Sequence, residues 1–298
     1  MNVPLRVSNL TKRYDAVTAV DDLSFEVHEG EVFGLLGPNG AGKTTIIRIA
    51  MGIFDGDAGS VSVLGGRPEA ARRRVGYLPE ERGLYRDLKV LDVLTYLAEL
   101  KGTPRHVAAG RALEWLERVD LGEWADNRVH DLSRGMQQKL QFVASLVHDP
   151  ELLILDEPFQ GLDPVNVEVI NGLIRELQAQ GKTIVLSAHQ MNLVEALCDR
   201  IVLINRGRGV LYGALDEIKQ HYARDAVRVR ADVSVAGLPG VSAVEERDGV
   251  QIVTLDGASP QGFLATLVAR GVAVQSFEVA SVPLQEIFVR VVKGEDHE

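Results

Sequence analysis

The sequence predicts an α/β core followed by a smaller α+β domain, and three observations carry that prediction. Short apolar runs alternate with helical periodicities over the first two thirds of the chain, the pattern of a sheet with helices packed on it. A glycine-rich loop, Gly37-Pro38-Asn39-Gly40-Ala41-Gly42-Lys43-Thr44, lies between a strand-like and a helix-like segment. Beyond about residue 223 the pattern changes to short alternating strands interrupted by one helix, with no chemical motif. The expected domains are therefore 1–222, with a helical subdomain at about 85–150, and 223–298.

Taken in order, residues 3–10 and 23–29 alternate as strands, with Tyr14 in the loop between them. Val32 to Leu36 is a short buried strand entering the glycine-rich loop, and Thr45 to Met51 a helix leaving it, closed by Gly52. Residues 60–64 and 75–79 are further strands, the second stopped by Pro79. Val90 to Lys101 and Arg105 to Asp120 have helical periodicity and are separated by Gly102-Thr103-Pro104. A helix opened by Leu132-Ser133-Arg134-Gly135 runs to about His148. Leu152 to Leu155 and Thr183 to Leu186 are continuous apolar runs, suited to buried parallel strands. Between them Pro164 to Gln180 is a helix, with proline in its first turn and Gly181 past its end. A short helix at 190–197 precedes a hairpin, 201–204 and 209–212, turned at Asn205-Arg206-Gly207. In the second domain, strands are expected at 227–230, 241–244, 250–255 and 272–279. Helices are expected at 260–270 and 283–292, and the tail 293–298 is expected to be disordered.

Composition narrows the function. At 298 residues, with 46% hydrophobic and 25% charged residues, the chain is ordinary for a globular protein. No apolar run reaches the roughly 18 to 20 residues that cross a bilayer, and no secretory signal is expected at the N-terminus. Cys198 is the only cysteine, which excludes an internal disulfide. A net charge of −10 argues against general nucleic-acid binding, and the seven histidines lack metal-ligand spacing.

The loop 37–44 fits the phosphate-binding pattern G-x-x-x-x-G-K-[ST]. Gly37, Gly40 and Gly42 let the backbone curl so that N–H groups of Pro38's neighbours, Asn39 through Thr45, face phosphate oxygens. Lys43 offers a mobile cation to the outer phosphates, and Thr44 a hydroxyl to Mg²⁺. The helix N-terminus adds its own positive potential. A nucleoside triphosphate is the expected ligand. Asp156-Glu157 follow a buried strand, where an acid can hold Mg²⁺ and a second can activate water; the same pair can simply end a strand in solvent. Ser133 and Gly135 open a helix and are either an anion site or an ordinary serine cap. His189, after a strand, can meet a γ-phosphate or sit buried and neutral. Tyr14 can be a packed surface aromatic, and Gly161-Leu162-Asp163-Pro164 a plain turn into a helix.

In this order the pieces resemble the ATP-binding subunit of an ABC transporter, over about residues 3–220. The resemblance implies an ABC-type P-loop NTPase core, with a mixed sheet and helical subdomain, that hydrolyses ATP with Mg²⁺. It implies that Tyr14 stacks on adenine, Asp156 supports Mg²⁺, Glu157 is the general base and His189 senses the γ-phosphate. It further implies a head-to-tail dimer, with itself or a related ATPase subunit, in which Ser133 and Gly135 close over ATP held by the partner. Separate transmembrane permease chains would complete the transporter, placing this chain on the cytoplasmic face of the cell membrane, peripheral rather than spanning.

Two departures stand out. The family's usual glutamine after the Tyr77-Leu78-Pro79 strand is Glu80 here, which can ligate Mg²⁺ but cannot donate a hydrogen bond; it also reads as a solvated acidic turn. The signature is Leu132-Ser133-Arg134-Gly135-Met136, with Arg134 and Met136 as substitutions. With the C-terminal domain, these variants look like the branch that includes bacterial sodium- and drug-export ATPases. The permease's coupling helix is then expected near Leu84 to Leu97, with charge at Leu88 or Val90 uncoupling transport. Non-transport members are disfavoured by the single cassette and by the lack of a long coiled coil between residues 45 and 150. A GTPase is disfavoured by the lack of Asn-Lys-x-Asp, while a regulatory, nucleotide-sensing role stays open.

Overall fold

The computed structural model of the chain describes residues 3–81, 83–222, 226–247, 249–279 and 282–293. Two compact units result, Met1–Gly213 and Ala214–Glu298. In chain order the first holds β1 (Leu5–Tyr14), β2 (Val17–Val27), β3 (Val32–Leu36), α1 (Lys43–Ala50), β4 (Ala58–Val63), α2 (Pro68–Ala71) and β5 (Val75–Leu78). It continues with α3 (Val90–Leu100), α4 (Arg105–Arg118), α5 (Arg134–Leu146), β6 (Leu152–Asp156), α6 (Pro164–Ala179), β7 (Thr183–Ala188), α7 (Met191–Leu197), β8 (Arg200–Asn205) and β9 (Arg208–Ala214).

A six-stranded sheet, ordered β5-β6-β7-β3-β8-β9, forms the centre. Its first five strands run parallel. Every residue of β3, β6 and β7 is buried, as their unbroken apolar runs require of strands covered on both faces. Register places Leu36 beside Ala188 and Asp156 beside Ser187. The carboxyl ends of β3, β7 and β6 therefore lie side by side, and the chain leaves them at Gly37, His189 and Glu157. Ligands of open α/β sheets bind along such an edge.

A second, antiparallel sheet is ordered β2-β1-β4. Here the sequence reading needs correction. β1 and β2 extend into one long hairpin, with Asp15 in the left-handed region (φ 47°) at its turn. Tyr14 is thus the last residue of β1, paired with Val17, and not a loop residue. The alternation fades there because both strand ends are exposed. The four-residue α2 was not expected, being too short to show a helical period. The break between α3 and α4 falls at 101–104, as Gly102-Thr103-Pro104 predicts.

His148, just beyond α5, accepts burial at a cost. Its Nε2 lies 3.2 Å from the Val75 carbonyl. Burial, with Lys101 nearby adding to it, pushes the imidazole pKa down to about 4. An unfolded chain protonates here below about pH 6.5, whereas the folded chain resists until about pH 4. Stability is therefore whole above about 6.5 and declines as pH falls through that window, by about 3 kcal/mol in all. Urea midpoints measured from about pH 7 to about pH 5 should fall less steeply in His148→Gln, which keeps a donor for Val75 without the titration.

The second unit holds α8 (Leu215–Tyr222), β10 (Ala226–Ala231), β11 (Val241–Arg247), β12 (Val250–Leu255), α9 (Pro260–Ala269), β13 (Val274–Val279) and α10 (Leu284–Lys293). Its antiparallel sheet is ordered β11-β12-β10-β13. Val227, Val229, Val253 and Leu255 pack with Phe263 and Leu267 of α9 as a separate core. The units divide between Gly213 and Ala214, which puts the helix Leu215–Tyr222 in the second unit. Lys293 ends α10; the rest of the tail expected to be disordered, 294–298, lies outside the described residues.

Candidate functional site

The glycine-rich loop is held by two backbone carbonyls. A Cβ on Gly37 (φ 151°) would come within 2.3 Å of the Ile204 carbonyl oxygen, and one on Gly42 (φ 110°) within 2.2 Å of that of Ala19. Gly40 has open space but a φ of 79°, which side chains other than glycine rarely adopt. Glycine is demanded at these positions for close approach and for conformation. The helix begins at Lys43, two residues earlier than the sequence suggests, with Gly42 as its left-handed N-cap. The N–H groups of its first turn stay free of intrahelical partners.

A cavity of about 350 Å³ opens over this loop. It is lined by Asn39, Gly40, Ala41, Gly42, Lys43, Thr44 and Thr45, together with Ala19, Glu80, Asp156 and Glu157. Gly37 and Pro38 enter through their carbonyls, which accept from Lys43 Nζ at 2.7 and 3.3 Å. Burial lowers the pKa of that ammonium, against the pull of Glu157, Asp156 and Glu80.

The carboxylates are organised by a residue that the sequence reading missed. Ser187 Oγ donates to Asp156 Oδ1 and accepts the Glu157 N–H at 3.1 Å. A hydroxyl just past the apolar run Ile184-Val185-Leu186 was its only signal in the sequence. Burial raises the Asp156 pKa, opposed chiefly by the Ser187 hydrogen bond. Its Oδ2 is buried with no partner. This orphaned acceptor shares a cavity with the Thr44 hydroxyl and the Glu80 carboxylate, an all-oxygen set that fits a hard divalent cation such as Mg²⁺. Among the described residues no group of three His, Cys, Asp or Glu side chains forms a metal cage. A partial protein set of this kind suits a cation completed by water and substrate phosphates.

Glu157 has a left-handed backbone (φ 51°), a strained conformation for a residue with a side chain. His189 Nδ1 is 2.9 Å from its Oε2, and Lys43 Nζ is 4.0 Å from its Oε1. His189 is half exposed, so it is not a buried histidine.

His189, like Gly37 and Pro38, is not part of the lining and reaches it only through a contact, His189 through Glu157 and the other two through Lys43. Tyr14, Ser133 and Gly135 stand outside it altogether. Tyr14 is 44% exposed and meets Phe54 edge-on at 6.2 Å. Ser133 is exposed and caps α5, its Oγ accepting the Met136 N–H at 3.3 Å. A Cβ on Gly135 would meet only the Gly161-Leu162 turn, at 3.9 Å or more. Asp163 in that turn caps α6, as an ordinary turn into a helix would.

Comparison with known proteins follows the same lines. A family model described as ABC transporter matches residues 20–160, and one described as the C-terminal domain of DrrA1-3-like ATP-binding proteins matches residues 213–292. An AAA domain model overlaps the first, at residues 126–195. An ABC transporter ATP-binding protein of Methanocaldococcus jannaschii is 46% identical over 218 residues, covering 73% of this chain and 80% of that protein. The ABC transporter ATP-binding protein YhaQ of Bacillus subtilis is 39% identical over 294 residues, 97% of this chain and 98% of that one. The Nod factor export ATP-binding protein I of Burkholderia pseudomallei is 43% identical over 215 residues, 71% of each. Among solved structures, an ATP-binding subunit of an ABC transporter superposes with a TM-score of 0.69 at 33% identity, covering 73% of this chain and 92% of that one. A subunit from Clostridium perfringens, described as part of an ABC transporter complex, superposes at 0.65 and 28% identity, covering 73% and 91%.

Proposed function

The chain belongs to the ABC transporter ATP-binding family, and on that premise we propose that it hydrolyses ATP to drive an exporter whose membrane-spanning permease is made of separate chains. The observation that carries the reading is Glu157, held between His189 and Lys43 at the open edge of the sheet above a phosphate-binding loop. On ATP binding, Lys43 exchanges the carbonyls of Gly37 and Pro38 for phosphate oxygens, and the N–H groups of the loop receive the rest. Glu157 takes the proton of the attacking water as it adds to the γ-phosphorus, and the terminal phosphate leaves ADP. His189 orients Glu157 and meets the γ-phosphate. Thr44, Asp156 and Glu80 would hold Mg²⁺, which when bound neutralises and orients the phosphates. Tyr14 stacks on adenine. Ser133 and Gly135, standing away from their own cavity, close over ATP held by a second subunit, so the working unit is a dimer.

Among the described residues no helix is long and apolar enough to cross a membrane, and we assign the membrane-spanning part to partner chains. We place the chain on the cytoplasmic face of the membrane. The relative from Burkholderia is described as an export protein, and the one from Clostridium as part of a transporter complex, which supports both the direction and the partner. The cassette carries the chemistry, and the C-terminal unit is an accessory domain of the sodium- and drug-export branch.

The permease's coupling helix is assigned to an apolar cavity beside the Glu80 loop, lined among others by Tyr77, Pro79, Leu84, Leu97, Leu100 and Gln141. Tyr85, Leu88, Tyr96 and Leu100 are large apolar side chains exposed on the same subdomain. Val90 is fully buried, so charge there would unfold α3 and cannot report on docking, a correction to the sequence expectation. Leu88 is the informative position. Leu88→Glu should keep ATP binding while co-purification with a membrane protein from detergent extracts, and stimulation of turnover by it, both drop about tenfold or more. Loss of ATP binding in this variant, or wild type that purifies without any membrane partner, would sink the reading.

A further inference from the structure

Helix α5 carries two buried glutamines that no catalytic step above uses, although one of them, Gln141, also lines the cavity beside the Glu80 loop. Gln138 and Gln141 are three residues apart, on one face of the helix, and both are 3% exposed. Gln138 Nε2 donates to the Pro158 carbonyl at 3.2 Å, and Gln141 Nε2 to the Glu81 carbonyl at 3.2 Å. Each acceptor belongs to the residue directly after a cavity carboxylate, Glu157 in one case and Glu80 in the other. A carbonyl only accepts, so each amide must present its NH₂. For Gln141 that orientation leaves Oε1 buried without a partner. An apolar side chain of the same shape would avoid that cost, so the donated bond has to matter for something other than packing.

We propose that Gln138 and Gln141 are positioning residues that fasten the Glu157 and Glu80 segments to the helix bearing Ser133 and Gly135. The inference rests on the roles proposed above for Glu80 and Glu157. Both carboxylates then move with α5, and a partner's nucleotide that pulls on the start of α5 is felt at both. The two glutamines act through different groups. Gln138 acts through Glu157, and so on proton removal from water. Gln141 acts through Glu80, and so on the requirement for Mg²⁺.

The test uses the full chain with Gln138→Met and Gln141→Met, which keep the shape and remove the donor, beside Gln141→Glu, which offers only acceptors. In the nucleotide-free protein, amide hydrogen exchange around Glu80 and Glu81 should quicken about 3- to 10-fold in Gln141→Met, and around Glu157 in Gln138→Met. In turnover assays Gln138→Met should lower kcat by about the same factor at wild-type Mg²⁺ dependence. Gln141→Met and Gln141→Glu should instead raise the half-saturating Mg²⁺ concentration by that factor. A purely packing role would shift the thermal midpoint and leave local exchange and the Mg²⁺ dependence as in wild type. That result, or one shared kinetic defect in all variants, overturns the proposal. Wild type that binds ATP without turning it over overturns the functional reading and this one with it. Normal wild-type turnover beside unchanged exchange in the variants overturns this one alone.

Discussion

Glu157→Gln is expected to lower ATP turnover about 100-fold or more, the range for loss of a positioned general base, while ATP still binds. The geometry gives the reason. The carboxylate stands at the open end of β6, with His189 at 2.9 Å and Lys43 at 4.0 Å, in the cavity that also holds the phosphate loop. Glutamine keeps the shape and can still meet both neighbours, but it has no lone pair basic enough to take a proton from water. ATP that binds and stays should hold two subunits together, so size-exclusion or light scattering should show a dimer with Mg·ATP in the variant and a monomer without it. Intact turnover in Glu157→Gln would move the base elsewhere, with Glu80 the next carboxylate in the cavity.

Lys43→Met is expected to weaken ATP binding by about 30- to 1000-fold, corresponding to about 2–4 kcal/mol for charge-assisted bonds to two phosphates. The fold should survive the change. Lys43 is 7% exposed, and burial already disfavours its charge, as its lowered pKa indicates. A buried ammonium replaced by an apolar side chain of similar length removes a desolvation cost along with the attraction to Glu157. Titration with a fluorescent ATP analogue, beside thermal melts, separates the two effects. A variant that melts like wild type and binds like wild type would remove Lys43 from the phosphate site.

The central sheet was legible because β3, β6 and β7 are buried on both faces, and such strands are written as unbroken apolar runs. The phosphate loop was legible because its glycines answer to backbone geometry, which leaves little choice of residue. Other features escaped for definite reasons. The outer ends of β1 and β2 are exposed and lose their alternation, so Tyr14 read as a loop residue. α2 spans four residues, about one turn. Ser187 belongs to the site through two hydrogen bonds to residues about thirty positions earlier, a relation set by the register of β6 and β7 and invisible to any local pattern. Gln138 and Gln141 look in the sequence like the polar face of a helix, and only burial shows otherwise.

The carbonyls that press on Gly37 and Gly42 carry a further consequence, one for how such a chain drifts over time. Ala19 constrains Gly42 through its backbone oxygen and not through its methyl group. Mutation can therefore exchange the side chain at residue 19 without disturbing that contact, while the glycine opposite has no permitted neighbour in the genetic code. What is inherited at this contact is accordingly the path of the main chain at residue 19 rather than the identity of its side chain.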